Sequence, residues 1–124
     1  MKSKFLKLIL NIYPPYLGAG IRVRHISEDY REVLVSMKLR WYNRNYVGTH
    51  FGGSLSAMTD PFFMLMLLNI LGDEYIVWDQ AARIEFIRPG RGRVVARFHL
   101  SQEQIDEIHV QTQSSAVFRP EYEV

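Results

Sequence analysis

Cysteine is absent from this 124-residue chain. That excludes disulfides, thiolate metal sites and cysteine nucleophiles together, and it fits a reducing, cytoplasmic setting. Long hydrophobic runs are lacking too. The longest, PFFMLMLLNIL from Pro61 to Leu71, has 11 residues, against about 20 needed to cross a bilayer, so no membrane span is expected. The N-terminal stretch MKSKFLKLILNIYPP has lysines and an apolar patch but no small-residue cleavage site, unlike a secretory signal. Charge of one sign is scarce as well: 15 basic residues stand against 13 acidic ones. Acidic and basic side chains are mixed between Asp79 and Glu85, which dilutes any continuous basic surface. No nucleic-acid partner is expected despite a pI of about 9.0. His25, His50, His99 and His109 show no ligand spacing, so no metal site is expected.

What is present is a well-stocked core. Hydrophobic residues make up 48% of the chain and charged ones 23%, enough for one folded domain over residues 1–124 and too little length for two. Ser3 to Tyr13 reads as a short amphipathic helix within an N-terminal segment, 1–14, with Phe5, Leu6, Ile9 and Ile12 or Tyr13 on one side. Its expected role is to dock on the domain, with membrane-surface binding as the second reading. Ile21–Ile26 alternates like a strand. Val33–Tyr42 does so more clearly, with Val33, Val35, Met37, Leu39 and Trp41 facing one way. From Gly53 to Leu71 the spacing becomes helical and apolar nearly all round, which predicts a buried helix ended by Gly72.

Alternation returns at Ile76–Arg88, turns at Pro89–Gly92 and resumes at Arg93–Leu100, the pattern of a long hairpin. Trp78, Phe86, Tyr42, Met64 and Met66 are expected in the core. Ser101 with Gln104 forms a capping-box pattern for a short helix, and a last alternating piece runs to Val124, where the chain is expected to stop within a final strand. Strands around one helix predict an α+β fold, an antiparallel sheet of about five strands wrapping a buried helix. Cover for that helix is expected from a homodimer, with a dimer of dimers as an extension.

One stretch carries the chemistry: NYVGTHFGGSLSAMTD, Asn45 to Asp60. Glycines let a ligand approach the backbone closely, and amides at a helix start lack intrahelical partners. Asp60 stands before Pro61 and so also fits an N-cap followed by proline, a purely structural role. If the helix begins near Gly53, Pro61 instead forces a kink. His50 has three readings: substrate contact, structural histidine, or orienter of a water.

This stretch resembles the signature of hot-dog-fold acyl-CoA thioesterases, closest to the phenylacetate-pathway type and to an uncharacterised thioesterase-like branch of that superfamily. Their motif has the form N-x-x-G-x-x-H-G-G with a carboxylate seven residues on. Asn45, Gly48, Gly52, Gly53 and Asp60 fall on it without gaps, whereas Phe51 occupies the His position and His50 lies one residue early.

The resemblance implies thioester hydrolysis, with Asp60 as general base or nucleophile and a backbone amide near Gly53 as oxyanion donor. Asn45, His50, Phe51 and Gly52 would then contact substrate. No resident cofactor is implied, coenzyme A being part of the substrate. Arg88, Arg91 and Arg93 around the Pro-Gly turn would suit its phosphates through their forked donors. A non-catalytic acyl-CoA or fatty-acid binding protein is the alternative.

Overall fold

The computed structural model describes all 124 residues. Its elements run α1 (Ser3–Ile12), α2 (Pro14–Ala19), β1 (Ile21–Ile26), β2 (Glu32–Lys38), α3 (Gly52–Ala57), α4 (Phe62–Leu71), β3 (Arg93–His99) and α5 (Gln102–Ser114). The sheet is antiparallel in the order β1-β2-β3. Alternation sets one face: Val33 lies opposite Phe98, Val35 opposite Ala96 and Val23, and Met37 opposite Ile21. These residues are buried, and α4 lays Phe62 and Met66 on them. The Phe62 and Phe98 rings are 5.1 Å apart and tilted. Truncating Phe98 would cost about 3–5 kcal/mol.

Several expectations are corrected. The sheet has three strands, not five. Residues 76–88 form no strand, and Ile76, Trp78 and Phe86 are exposed, as is Tyr42. Alternation fixes which side chains share a face, but a strand also needs a hydrogen-bonding neighbour. The turn at Pro89–Gly92 is pinned elsewhere: the Gly90 carbonyl accepts from His50 N–H, and the Gly92 carbonyl from Leu39 N–H.

β2 ends at Lys38 rather than Tyr42, because the Asn43 side chain turns the chain by accepting from Arg40 N–H. The apolar helix is two helices, broken at Thr59–Pro61, where the Asp60–Pro61 peptide is cis. Gly52–Leu71 has the length and composition of a membrane-crossing stretch, but the break divides it into helices of 6 and 10 residues, each too short to span. Nor is α4 buried on all sides: it hides Phe62, Met66 and Leu67, while Leu68 is exposed, since a three-stranded sheet covers one flank only.

The ends of the chain hold further differences. Pro14–Pro15 ends α1 and also starts α2, proline being well placed in a first helical turn. α1 docks through Ser3, Leu10 and Asn11, the last exchanging two hydrogen bonds with the Val23 backbone. Phe5, Ile9 and Ile12, expected to dock, face outward. The Ser101/Gln104 capping box is present, but α5 continues through the expected polar loop to Ser114. No strand follows it; Phe118 and Tyr122 instead pack on the core, the Tyr122 ring 5.3 Å from that of Phe63.

Candidate functional site

The loop between β2 and α3 is organised by two asparagines. Asn43 is buried and its amide donates to the carbonyls of Ala19 and Lys38. The Asn45 side-chain oxygen accepts from the N–H groups of Val47 and Thr49, and its amide donates to the Thr49 hydroxyl at 2.8 Å. This is an Asx-type turn closed on itself, and Gly48, at φ +83°, supplies the left-handed residue it needs.

His50 follows and is almost fully buried. Its Nε2 lies 2.7 Å from the Gly92 carbonyl, which can only accept, so Nε2 carries the proton. Nδ1 is buried without a partner. Such orphaned polar atoms are uncommon and call for an explanation.

α3 begins with Gly52 and Gly53, whose amides donate to no protein acceptor. Aromatic rings lie close over both. A methyl group on Gly53 would meet the Phe51 ring at 2.5 Å, and one on Gly52 the Phe86 ring at 3.1 Å.

Two cavities flank this helix. One, of about 370 Å³, is lined by Asn45, His50, Gly52, Leu55, Phe86 and Arg88 among others. The other, of about 470 Å³, is lined by Ile9, Leu10, Tyr13, Tyr16, Ala57, Asp60 and Leu65 together with prolines. Leu55 and Ala57 point to opposite sides of a helix by the 100° step. Four of the expected site residues, Asn45, His50, Gly52 and Arg88, therefore gather in the first cavity, while Asp60 stands in the second. Phe51, Gly53 and Arg91 line neither.

Asp60 is held by its backbone. The Tyr16 hydroxyl donates to the Asp60 carbonyl, and burial, followed by the nearby Asp60 charge and Tyr13, pushes the Tyr16 phenol well above its ordinary range. The Asp60 carboxylate does not cap α4, which begins with no side-chain cap at all. Asp79, missed in the sequence, is the second carboxylate here. Its pKa is raised, first by partial withdrawal from water, then by the neighbouring Asp60 carboxylate. That contact spans an irregular segment and leaves no spacing signal in the sequence.

A helix on an antiparallel sheet, with a Gly-Gly turn at its start and a carboxylate at its break, matches the hot-dog fold of thioesterase relatives. The chain belongs to the DUF4442 family, a domain of unknown function whose model matches residues 1–119. No curated protein matches it.

Among solved structures it is similar to a Pseudomonas aeruginosa protein of unknown function described as a probable thioesterase. That likeness has 18% identity and a TM-score of 0.69, over 92% of this chain and 76% of the other. A Chlorobaculum tepidum protein of unknown function matches at 21% identity and TM-score 0.67, over 90% and 70%. A mutant form of the Thermus thermophilus phenylacetic acid degradation protein PaaI matches at 28% identity and TM-score 0.54, over 73% and 77%.

Proposed function

We propose that this protein hydrolyses acyl-coenzyme A thioesters, with Asp60 as general base or nucleophile. The observation that carries the reading is the Asp60 carboxylate, left free of α4 on the wall of an apolar cavity at the position the thioesterase motif assigns to it. Asp60 would take a proton from water attacking the thioester carbonyl. Collapse of the tetrahedral intermediate would then break the C–S bond and release coenzyme A as the thiolate, which takes up that proton. Alternatively, Asp60 would attack that carbon itself, expel the same thiolate and form an anhydride that a water then hydrolyses. The developing oxyanion would be met by the Gly53 amide, which has no protein acceptor. Arg88 and Arg91, both exposed, would meet the phosphates of coenzyme A. The solved relatives described as a probable thioesterase and as PaaI support the class of reaction.

Within one copy, Asp60 and the Asn45/His50 cavity lie on different sides of α3. A homodimer would bring the carboxylate of one copy toward the Gly-Gly turn of another, covering the exposed Trp78 and Phe86. Assays with a panel of acyl-CoAs and a free-thiol readout test the proposal. Turnover that drops to background in Asp60→Asn is the expected result; equal background rates for both proteins would refute it.

A second reading is a non-catalytic acyl-CoA or fatty-acid binding protein. It is favoured by the Phe51 ring lying over Gly53 in place of the motif histidine. Tight acyl-CoA binding with no turnover, and a stability loss alone on Asp60→Ala, would select it.

A further inference from the structure

α1 is amphipathic twice over. Its core-facing side carries Ser3, Leu6 and Leu10, and Asn11 ties it to β1. Its outer side carries a second apolar stripe, Phe5, Leu8, Ile9 and Ile12, at the i, i+3, i+4, i+7 spacing, and these residues are 52%, 62%, 47% and 65% exposed. On a 100° step the four occupy an arc of about 100°. Monomeric proteins seldom leave such a stripe to water without a use for it.

Along the chain the charge beside it is basic, with Asp60 the acidic group across the cavity that Ile9 lines. Lys2 and Lys4 flank the stripe, Arg22 and Arg24 follow in β1, and no acidic residue occurs before Glu28. The Lys4 ammonium lies 5.6 Å from the Phe5 ring centre, its charged head beside the stripe.

We propose that α1 docks on an anionic lipid bilayer, its outer stripe lying in the headgroup boundary and its lysines on the lipid phosphates. Apolar area and basic flanks are the two terms of interfacial helix binding. The stripe also runs into the Asp60 cavity, because Ile9 is shared between them and Tyr13 continues the rim. A docked molecule would hold that cavity at the lipid surface, open to substrates whose acyl chains partition there. That last step rests on the proposed hydrolysis at Asp60, whereas docking itself does not.

The experiment is co-sedimentation of the protein with vesicles of phosphatidylcholine, with and without phosphatidylglycerol, in the absence of substrate. Wild type is expected to sediment with the anionic vesicles and to be released by salt. A Phe5→Glu/Leu8→Glu variant, altered only at exposed positions, should bind at least about tenfold more weakly. Lys2→Gln/Lys4→Gln should lose about 25-fold on anionic vesicles, from about fivefold per lysine.

Wild type that sediments with neither vesicle, or equally with both, would overturn the proposal. So would a Phe5→Glu/Leu8→Glu variant whose mass by light scattering falls below that of wild type, since a second copy would then cover the stripe. Failure of vesicle binding leaves hydrolysis of soluble acyl-CoA intact, so the two readings fail separately.

Discussion

The two cavities beside α3 are made of opposite materials, and their chemistry runs against appearance. The Asn45/His50 cavity looks functional in sequence, with an amide, an imidazole and a glycine pair. Yet the Asn45 side chain is spent on its own turn, and His50 commits Nε2 to Gly92. The Asp60 cavity is mostly hydrophobic, and its carboxylate is bound by no cap. Polar groups that hold a loop together are poorly placed to serve a substrate as well, whereas a carboxylate beside apolar walls keeps its reactivity.

The sharpest test of this contrast is Asp60→Asn. It should lower kcat for acyl-CoA hydrolysis about 1,000-fold while leaving the melting temperature unchanged, because no helix cap is lost. A large fall in stability with modest loss of rate would reverse the assignment of the two cavities.

Gly53→Ala probes the ground between them. The added methyl collides with the Phe51 ring, but that ring is 56% exposed and can swing aside. Alanine also gains up to about 1 kcal/mol over glycine within a helix. Stability should therefore stay within about 1 kcal/mol of wild type. The rate should fall about tenfold to 100-fold, as the methyl blocks a thioester carbonyl from the amide. An unchanged rate would move the oxyanion donor elsewhere.

His50→Ala is expected to do the converse. It removes a buried ring and its bond to Gly92, loosening the join between the Asn45 loop and the Pro89–Gly92 turn. Urea denaturation should show a loss of about 2 kcal/mol, with the rate per folded molecule little changed.

How much of this was readable beforehand depended on the range of the interaction. β1, the start of β2 and the Ser101 cap are local patterns, and the structure follows them. The motif singled out Asp60 at the break between α3 and α4, because glycines and a helix break declare themselves within a few residues. Ile76–Arg88 misled because alternation describes a strand's faces without supplying its neighbour. α1 misled differently: it carries apolar stripes on both sides, and only packing against Val23 decides which one is inside. The turn that Asn45 closes was not legible beforehand. The N–H groups of Val47 and Thr49 that it accepts from are backbone atoms every residue possesses, and only the Thr49 hydroxyl is a side-chain partner.

The smallest expected effect concerns Asp79, the carboxylate that no local pattern could reveal. Its folded-state pKa is raised above the ordinary carboxylate value, chiefly by partial withdrawal from water and then by Asp60. A raised folded pKa means that the native state holds the proton more tightly than the unfolded chain. Its stabilising contribution is therefore complete at acid pH, below the unfolded value of about 3.9, and is lost as pH rises through the higher native value.

Asp79→Asn removes that loss. At neutral pH the variant should be more stable than wild type by up to about 0.5 kcal/mol, the pair being largely exposed and solvent-screened. The gap should close on acidification, when wild-type Asp79 is protonated as well. A variant no more stable than wild type at neutral pH, with no gap to close on acidification, would show that Asp79 costs the fold nothing when ionised.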